Sequence, residues 1–319
     1  MKVVVLGYGK LAQAVILGTL QARHEIVGVM RWEKERPNRF KAFMRDVFMP
    51  DGLATIVKAR NLSEIRAKNT NSKRFIEQVK KLAPDVIIVS SWGEILQTEV
   101  LELPKVACIN CHPSMLPKHR GSNPYVSAIR EGEVTTGITF HLMDENIDTG
   151  DILLQEEVPI SAEDNAESLK SKCAFITKQM IPKLLNRLER GELIPQKQNE
   201  EEASYFPPAE EDDVIINWEK PAEFIHNQIR AFSQKTGCYT RYNNDFLFLR
   251  SSRIVNLENP VDRAGMVLEK NKRSMLVSTG ELNKAIFAEN IKVYGFLSEL
   301  WSQFYIDKNL KENTCFKKI

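Results

Sequence analysis

Val3-Val4-Val5-Leu6-Gly7-Tyr8-Gly9-Lys10-Leu11-Ala12 begins as an apolar β-branched run and breaks at two glycines. It then passes into Leu11, Val15, Ile16 and Leu20, spaced for one face of a helix. A buried strand, a tight turn and an amphipathic helix form the first half of a βαβ unit. The pattern continues outward. Residues 25–30 read as a second strand, and Phe75, Val79 and Leu82 as a helix that stops before Pro84. Asp85-Val86-Ile87-Ile88-Val89-Ser90 reads as a strand buried on both faces. Residues 106–110 and 136–142 read as further strands, and 152–159 as an edge or hairpin strand. Leu169, Cys173, Ile176, Met180, Leu184 and Leu188 place one amphipathic helix over 166–190, kinked at Pro182. Residues 2–160 therefore predict an α/β unit with a mainly parallel sheet.

The chain has 319 residues, enough for about two domains. Residues 196–213 hold Glu200-Glu201-Glu202, Pro207-Pro208 and Glu210-Glu211-Asp212-Asp213, and read as a polar, acidic linker. We place the domains at 1–203 and 204–319. Residues 222–232 look helical. Short alternating runs at 246–249, 265–268, 274–277 and 284–287 predict a small β-rich domain of barrel type. Leu297, Leu300, Trp301, Phe304 and Tyr305 form a stripe expected to dock against the body.

Charge removes several function classes. With 44 Lys+Arg against 42 Asp+Glu the net is +2, short of the basic excess that many phosphate contacts demand. No apolar run approaches the roughly 18 residues of a membrane span. The N-terminus reads as a strand rather than a signal peptide. Five scattered cysteines fit reduced thiols, so a cytoplasmic location is expected.

Gly7-Tyr8-Gly9-Lys10-Leu11-Ala12 matches a G-x-G-x-x-A dinucleotide fingerprint in strand–turn–helix context. The second strand ends Val29-Met30-Arg31-Trp32, without the carboxylate that bonds ribose hydroxyls; Arg31 at most suits a 2′-phosphate. A tight turn, which every doubly wound sheet needs between its first strand and helix, explains the glycines better. An NADP-dependent dehydrogenase built on Gly7, Gly9 and Ala12 is retained as an alternative.

A denser chemical run is Val106-Ala-Cys-Ile-Asn110-Cys-His112-Pro-Ser114-Met-Leu-Pro117-Lys-His119-Arg120-Gly121-Ser-Asn-Pro124. Asn110 and His112 sit two apart on a strand and share a face at the carboxyl end of the sheet, where ligands bind. Residues 144–151, Asp144-Glu-Asn-Ile-Asp148-Thr-Gly150-Asp151, follow another strand and can offer a carboxylate. An amide suits a developing oxyanion, an imidazole suits removal of a proton from an attacking amine, and a carboxylate suits orientation of that imidazole. Together they fit acyl-type transfer to an amine. No nucleophilic Ser or Cys is needed.

Asn110-Cys-His112-Pro-Ser-Met-Leu-Pro117 with Arg120-Gly121 and Pro124, then Thr136-Gly137-Ile-Thr139 and Asp148-Thr-Gly150-Asp151, resembles the 10-formyltetrahydrofolate-dependent formyltransferases. That family includes methionyl-tRNA formyltransferase and the amino-sugar N-formyltransferases. The resemblance continues more loosely through Trp92-Gly93-Glu-Ile95-Leu96 and Ile216-Asn217-Trp218. It implies a Rossmann-like formyltransferase domain followed by a small β-rich, OB-like domain. It also implies that Asn110 holds the formyl oxygen, His112 acts as base, and Asp148 tunes His112. The folate of the donor, 10-formyltetrahydrofolate, would lie near Trp92, Ile95 and Leu96 and the loop Asp144, Glu145, Asn146 and Ile147. No metal is required. Ser114 and Arg120 are read as shaping the loop.

Other residues allow plainer readings. Cys108 and Cys111 form a C-x-x-C without a second pair, and pack most simply as core. His141 alternates with Thr139 along its strand, where it can line the pocket, but reads more simply as a structural histidine. Lys118-His119-Arg120 suits either a folate tail or acceptor phosphate, or a solvated loop. Two acceptors are open: charged initiator tRNA and a nucleotide-linked amino sugar. Residues 205–319 hold 16 Lys+Arg against 15 Asp+Glu, a net of +1. Residues 31–45 carry basic side chains but no glycine. Both observations lean slightly toward the amino sugar as a small-molecule partner.

Overall fold

The computed structural model describes residues 1–32, 52–233, 237–243, 245–293 and 299–316. β1 (Lys2–Gly7) is buried from its second residue on, because every side chain from Val3 to Leu6 is apolar. It lies parallel to β2 (Glu25–Arg31) on one side and β3 (Val86–Ser90) on the other, and β3 lies parallel to β4 (Ala107–His112). β5 (Arg120–Gly121) is a two-residue strand outside this sheet. β6 (Thr135–Leu142) runs antiparallel to β4, and β7 (Ile152–Pro159) antiparallel to β6, which gives the order β2-β1-β3-β4-β6-β7. The sheet is thus mainly parallel with a hairpin at one edge, as the sequence pattern predicts.

Helices cover the sheet where periodicity places them. α1 (Gly9–Gln21) buries Leu11, Ala12, Val15 and Ile16. α2 (Gly52–Ala59) comes from a stretch whose pattern gives no clear element. α3 (Lys73–Leu82) is capped by the Ser72 hydroxyl on the Phe75 N–H and closes at a left-handed Ala83 before Pro84. Phe75, Ile76 and Val79 join Val4, Leu6, Ile87 and Val89 in one core cluster. α4 (Thr98–Leu101) and α5 (Pro124–Arg130) are short; α6 (Ala166–Glu189) runs through Pro182 and buries Cys173, Met180 and Leu184. Among the described residues no helix is long and apolar enough to cross a membrane.

Contacts divide the chain into two compact units. The first comprises Met1–Pro124, Thr135–Pro159 and Lys170–Phe206; the second comprises Tyr125–Val134, Ile160–Leu169 and Pro207–Ile319. β8 (Tyr205–Phe206) pairs in parallel with β5 inside the first unit. In the second, β9 (Cys238–Tyr242), β10 (Asp245–Leu249), β11 (Ser251–Asn256), β12 (Val267–Lys270), β13 (Ser274–Ser278), β14 (Lys284–Glu289) and β15 (Lys292–Val293) form two antiparallel sheets, ordered β15-β10-β9 and β11-β14-β13-β12. α7 (Ala222–Ala231) supplies Ile225 and Ile229 to their core beside Trp218, Leu249, Val277 and Ile286.

The expected docking stripe on α8 (Glu299–Asn309) needs correction. Leu300, Trp301 and Phe304 are 77%, 63% and 58% exposed. The helix packs instead through Ser302, Ile306 and Leu310, whose i, i+4, i+8 spacing defines a different face, with Tyr305 at its border. Leu297 lies outside the described residues.

Candidate active site

The site grows from the pairing of β4 with β6. Antiparallel register sets His141 opposite Asn110 and Thr139 opposite His112, so all four side chains share one face. The loop after β6 returns with Asp148, held at a left-handed φ of 58°. Gly150 lets the loop turn close, since a Cβ there would run into the Leu142 carbonyl.

Asp148 is the hub. Its Oδ1 lies 3.0 Å from Asn110 Nδ2, 3.4 Å from His112 Nδ1 and 3.5 Å from His141 Nε2, while Oδ2 accepts the Gly121 N–H at 2.9 Å. Burial alone would raise its affinity for a proton. The adjacent His112, the His141 ring and the Gly121 N–H outweigh that and hold the carboxyl well below the usual carboxylate range. His112 is 4% exposed. Burial lowers its pKa, opposed by the charge on Asp148 and by its bond to His119.

Hydrogen bonding fixes the tautomers. His112 Nε2 lies 2.9 Å from the His119 carbonyl, which can only accept, so Nε2 carries the hydrogen. The neutral ring then keeps its lone pair on Nδ1, beside Asp148. His141 Nδ1 likewise donates to the Leu142 carbonyl at 2.7 Å, leaving Nε2 to accept from Asn110 Nδ2 at 3.2 Å. Asn110 thus directs its amide hydrogens at Asp148 and His141.

Surrounding loops are braced in turn. Thr139 Oγ1 donates to the Ser114 carbonyl at 2.7 Å, and Ser114 Oγ donates to the Lys118 carbonyl at 2.7 Å. His119 and Arg120 are 7% and 6% exposed, so of Lys118-His119-Arg120 only Lys118 is solvated. Arg120 binds Gln198 and Glu200.

The segments expected to face folate approach one another. Thr98 Oγ1, just past residues 92–96, donates to Glu145 at 2.6 Å. Thr70 donates twice to Glu94, and Asn71 bridges Ile95 and Gln97. Ile95 and Ile147 are exposed, and the buried Trp92 Nε1 has no hydrogen-bond partner. An apolar rim with an unsatisfied donor fits a flat heterocycle. Leu96 turns inward to the core, and Asp144 accepts from Asn146 N–H and Thr149 Oγ1.

At the β1 exit the geometry is that of a packed turn. A Cβ on Gly7 would lie 2.6 Å from both Ala12 Cβ and Ser90 Oγ. Arg31 is ion-paired with Glu64 rather than turned to a phosphate. Trp32 donates its backbone N–H to the Gly7 carbonyl, and its ring meets Trp92 edge-on at 5.2 Å. The remaining basic residues of 31–45, Lys34, Arg36, Arg39, Lys41 and Arg45, lie outside the described residues. Cys108 meets Met143 and Cys111 meets Thr177; burial pushes the Cys108 thiol up to about 12 and raises Cys111 as well, so neither is a reactive thiolate. Among the described residues no His, Cys, Asp and Glu group is arranged to hold a metal.

Sequence reading set His141 near the pocket but favoured a structural role, because the antiparallel register that places it opposite Asn110 is not written in the pattern. It missed Gln198, Thr70 and Asn71, which carry no local signal.

Residues 1–185 match the Formyl transferase family, and residues 209–295 match its C-terminal domain. A methionyl-tRNA formyltransferase of Caldanaerobacter subterraneus subsp. tengcongensis is 38% identical over 77% of this chain and 79% of its own length. One from Syntrophomonas wolfei subsp. wolfei is 32% identical over 88% of each chain. The N-formyltransferase of Helicobacter canadensis, in complex with folinic acid and dTDP-3-aminofucose, superposes with a TM-score of 0.66 at 22% identity, covering 91% of this chain and 99% of its own. The sugar 3N-formyl transferase WlaRD, with dTDP and 5-N-formyl-THF, gives 0.67 at 21%, covering 93% and 99%. At those identities the two structures speak to the fold. With both family regions matched along most of its length, the chain belongs to the formyl transferase family.

Proposed function

We propose that the protein transfers the formyl group of 10-formyltetrahydrofolate to a primary amine at Asn110, His112 and Asp148, within a catalytic domain of residues 1–203 that precedes a β-rich domain of residues 204–319. The observation that carries this reading is the convergence of amide, imidazole and carboxylate on Asp148 Oδ1. Trp92, Ile95, Leu96, Asp144, Glu145, Asn146 and Ile147 bound the donor side, with Leu96 contributing backbone because its side chain is in the core. The donor supplies an activated formyl carbon.

Neutral His112 presents its Nδ1 lone pair to the attacking amine and takes its proton there. The resulting imidazolium is met by Asp148 on one side and the His119 carbonyl on the other, so burial does not leave it uncompensated. Asn110 releases one amide hydrogen from Asp148 or His141 to the tetrahedral oxyanion, whose collapse breaks the bond between the formyl carbon and the folate nitrogen, and the proton held by His112 goes to that leaving nitrogen. His141 keeps that amide oriented with its nitrogen toward the reacting centre.

The methionyl-tRNA formyltransferases at 38% and 32% identity favour a charged tRNA acceptor, against the slight lean from charge balance. One observation supports the amino-sugar reading: Lys270 and Lys272, which would seed a basic patch, are both drawn to Asp307. The test incubates the protein with 10-formyltetrahydrofolate and separate pools of charged initiator tRNA and nucleotide-linked amino sugars, and weighs the products. Formylated methionyl-tRNA is expected. A formylated sugar selects the second reading, and saturable NADPH binding without formylation of either pool overturns both.

A further inference from the structure

Residues 198–206, which read as an acidic linker, fold back onto the reacting pair from two directions. Gln198 Nε2 donates to the carbonyls of Asp148 and Gly150, each at 2.8 Å, on either side of Thr149. Its Oε1 accepts from Arg120 Nε at 3.1 Å and Nη2 at 2.8 Å. Arg120 in turn forms two 2.8 Å bonds to the exposed Glu200. These bonds hold the Asp148 backbone where its φ is left-handed, a conformation a non-glycine residue keeps only when its surroundings enforce it.

The same strap reaches His112. Ser204 Oγ accepts the His119 N–H at 2.9 Å, the Ser204 carbonyl accepts the Arg120 N–H at 2.9 Å, and the Phe206 ring stacks on His119 with centroids 5.0 Å apart. His119 offers the carbonyl that fixes the His112 tautomer. β5, paired with β8, presents the Gly121 N–H to Asp148. Both halves of the His112–Asp148 pair therefore hang from one short segment.

We infer that Gln198, clamped by Arg120 and Glu200, is a positioning residue for the reaction, and that residues 198–206 set the separation of His112 and Asp148. The inference rests on the formyl-transfer reading for its kinetic consequence but not for its geometric one. His112 faces Asp148 from the loop, His141 from β6 and His119 from the next turn. Of these, Asp148 favours its charged form most, followed by the His119 carbonyl, while the two rings oppose it. A loosened Asp148 therefore makes His112 harder to protonate.

The test uses the full-length protein with Gln198→Met. A misplacement of this kind is expected to lower kcat about 10- to 100-fold, with KM for 10-formyltetrahydrofolate little changed and the acid limb of kcat moved to lower pH. The His112 imidazole proton followed by NMR titration should shift the same way, without turnover. An unchanged titration and an unchanged pH profile overturn the inference. If Gln198→Met lowers the unfolding temperature, Glu200→Gln decides, because that carboxylate is exposed and outside the reacting centre. It is expected to move the titration in the same direction by less, and no movement overturns the inference. Wild-type protein that transfers no formyl group sinks the functional reading instead, while the titration still judges the strap.

Discussion

Two strands of one sheet, β1 and β4, run parallel with β3 between them and end at the same edge, yet their exits are built oppositely. At the β1 exit, Gly7 is wedged against Ala12 and Ser90, Arg31 is neutralised by Glu64, and Trp32 joins Trp92. At the β4 exit, Asn110, His112 and His141 surround one ionised carboxylate whose placement comes from loop backbone. A glycine fingerprint thus marks a fold requirement, whereas convergent polar groups of fixed tautomer mark chemistry. Motif identity alone does not separate the two; what the neighbouring side chains are bonded to does.

The strongest way to break that contrast is at His112. His112→Ala is expected to cut formyl transfer by about 10²- to 10⁴-fold, the usual worth of a general base, with the far-ultraviolet circular dichroism spectrum unchanged. Steady-state rates near wild type would move the chemistry elsewhere.

Acid tests the contrast next. The folded-state pKa of His112 is below its ordinary value of about 6.5, so the proposed base stays neutral and the acid limb of kcat/KM should fall below that pH. Stability follows the same sign. Between the folded and unfolded pKa values the unfolded chain binds more protons, so stability is lost as pH drops below about 6.5 for His112. It is lost further below about 4, where Asp148 of the unfolded chain takes up a proton that the folded carboxyl does not. Urea midpoints measured from pH 8 to 4 should decline steadily, and a flat series contradicts the burial of these groups.

The smallest effect belongs to the turn. Gly7→Ala forces a methyl against Ala12 and Ser90 and should cost about 1–3 kcal/mol of stability by overpacking. Thermal unfolding reads that loss. NADPH fluorescence should show no saturable quenching with either form, and saturation with the wild type alone would restore the dinucleotide reading.

These two exits also show what is legible in a sequence. Val3–Leu6 and Val86–Ser90 are apolar on both faces, so their burial in a central sheet follows from composition. Asn110 and His112 are legible because alternation puts them on one face, whereas the loop after β6 offers Asp144, Glu145, Asp148 and Asp151, and only the family resemblance singles out Asp148. His141 needs the antiparallel register, which the pattern leaves open. Gln198 is illegible for a deeper reason: Glu200-Glu201-Glu202 looks solvated, and only the buried guanidinium of Arg120 makes this run part of the site. The α8 stripe misleads similarly. Apolar spacing names a face, but Ser302 and Ile306 show that another face was the one packed.

The central claim is that Asp148, held ionised beside His112, makes formyl transfer possible. The most direct measurement is single-turnover transfer from 10-formyltetrahydrofolate by Asp148→Asn, with unfolding temperature recorded alongside. The account expects a loss of about 10²-fold or more with the fold retained, because a neutral amide does not stabilise the imidazolium. Wild-type rates from Asp148→Asn would contradict it.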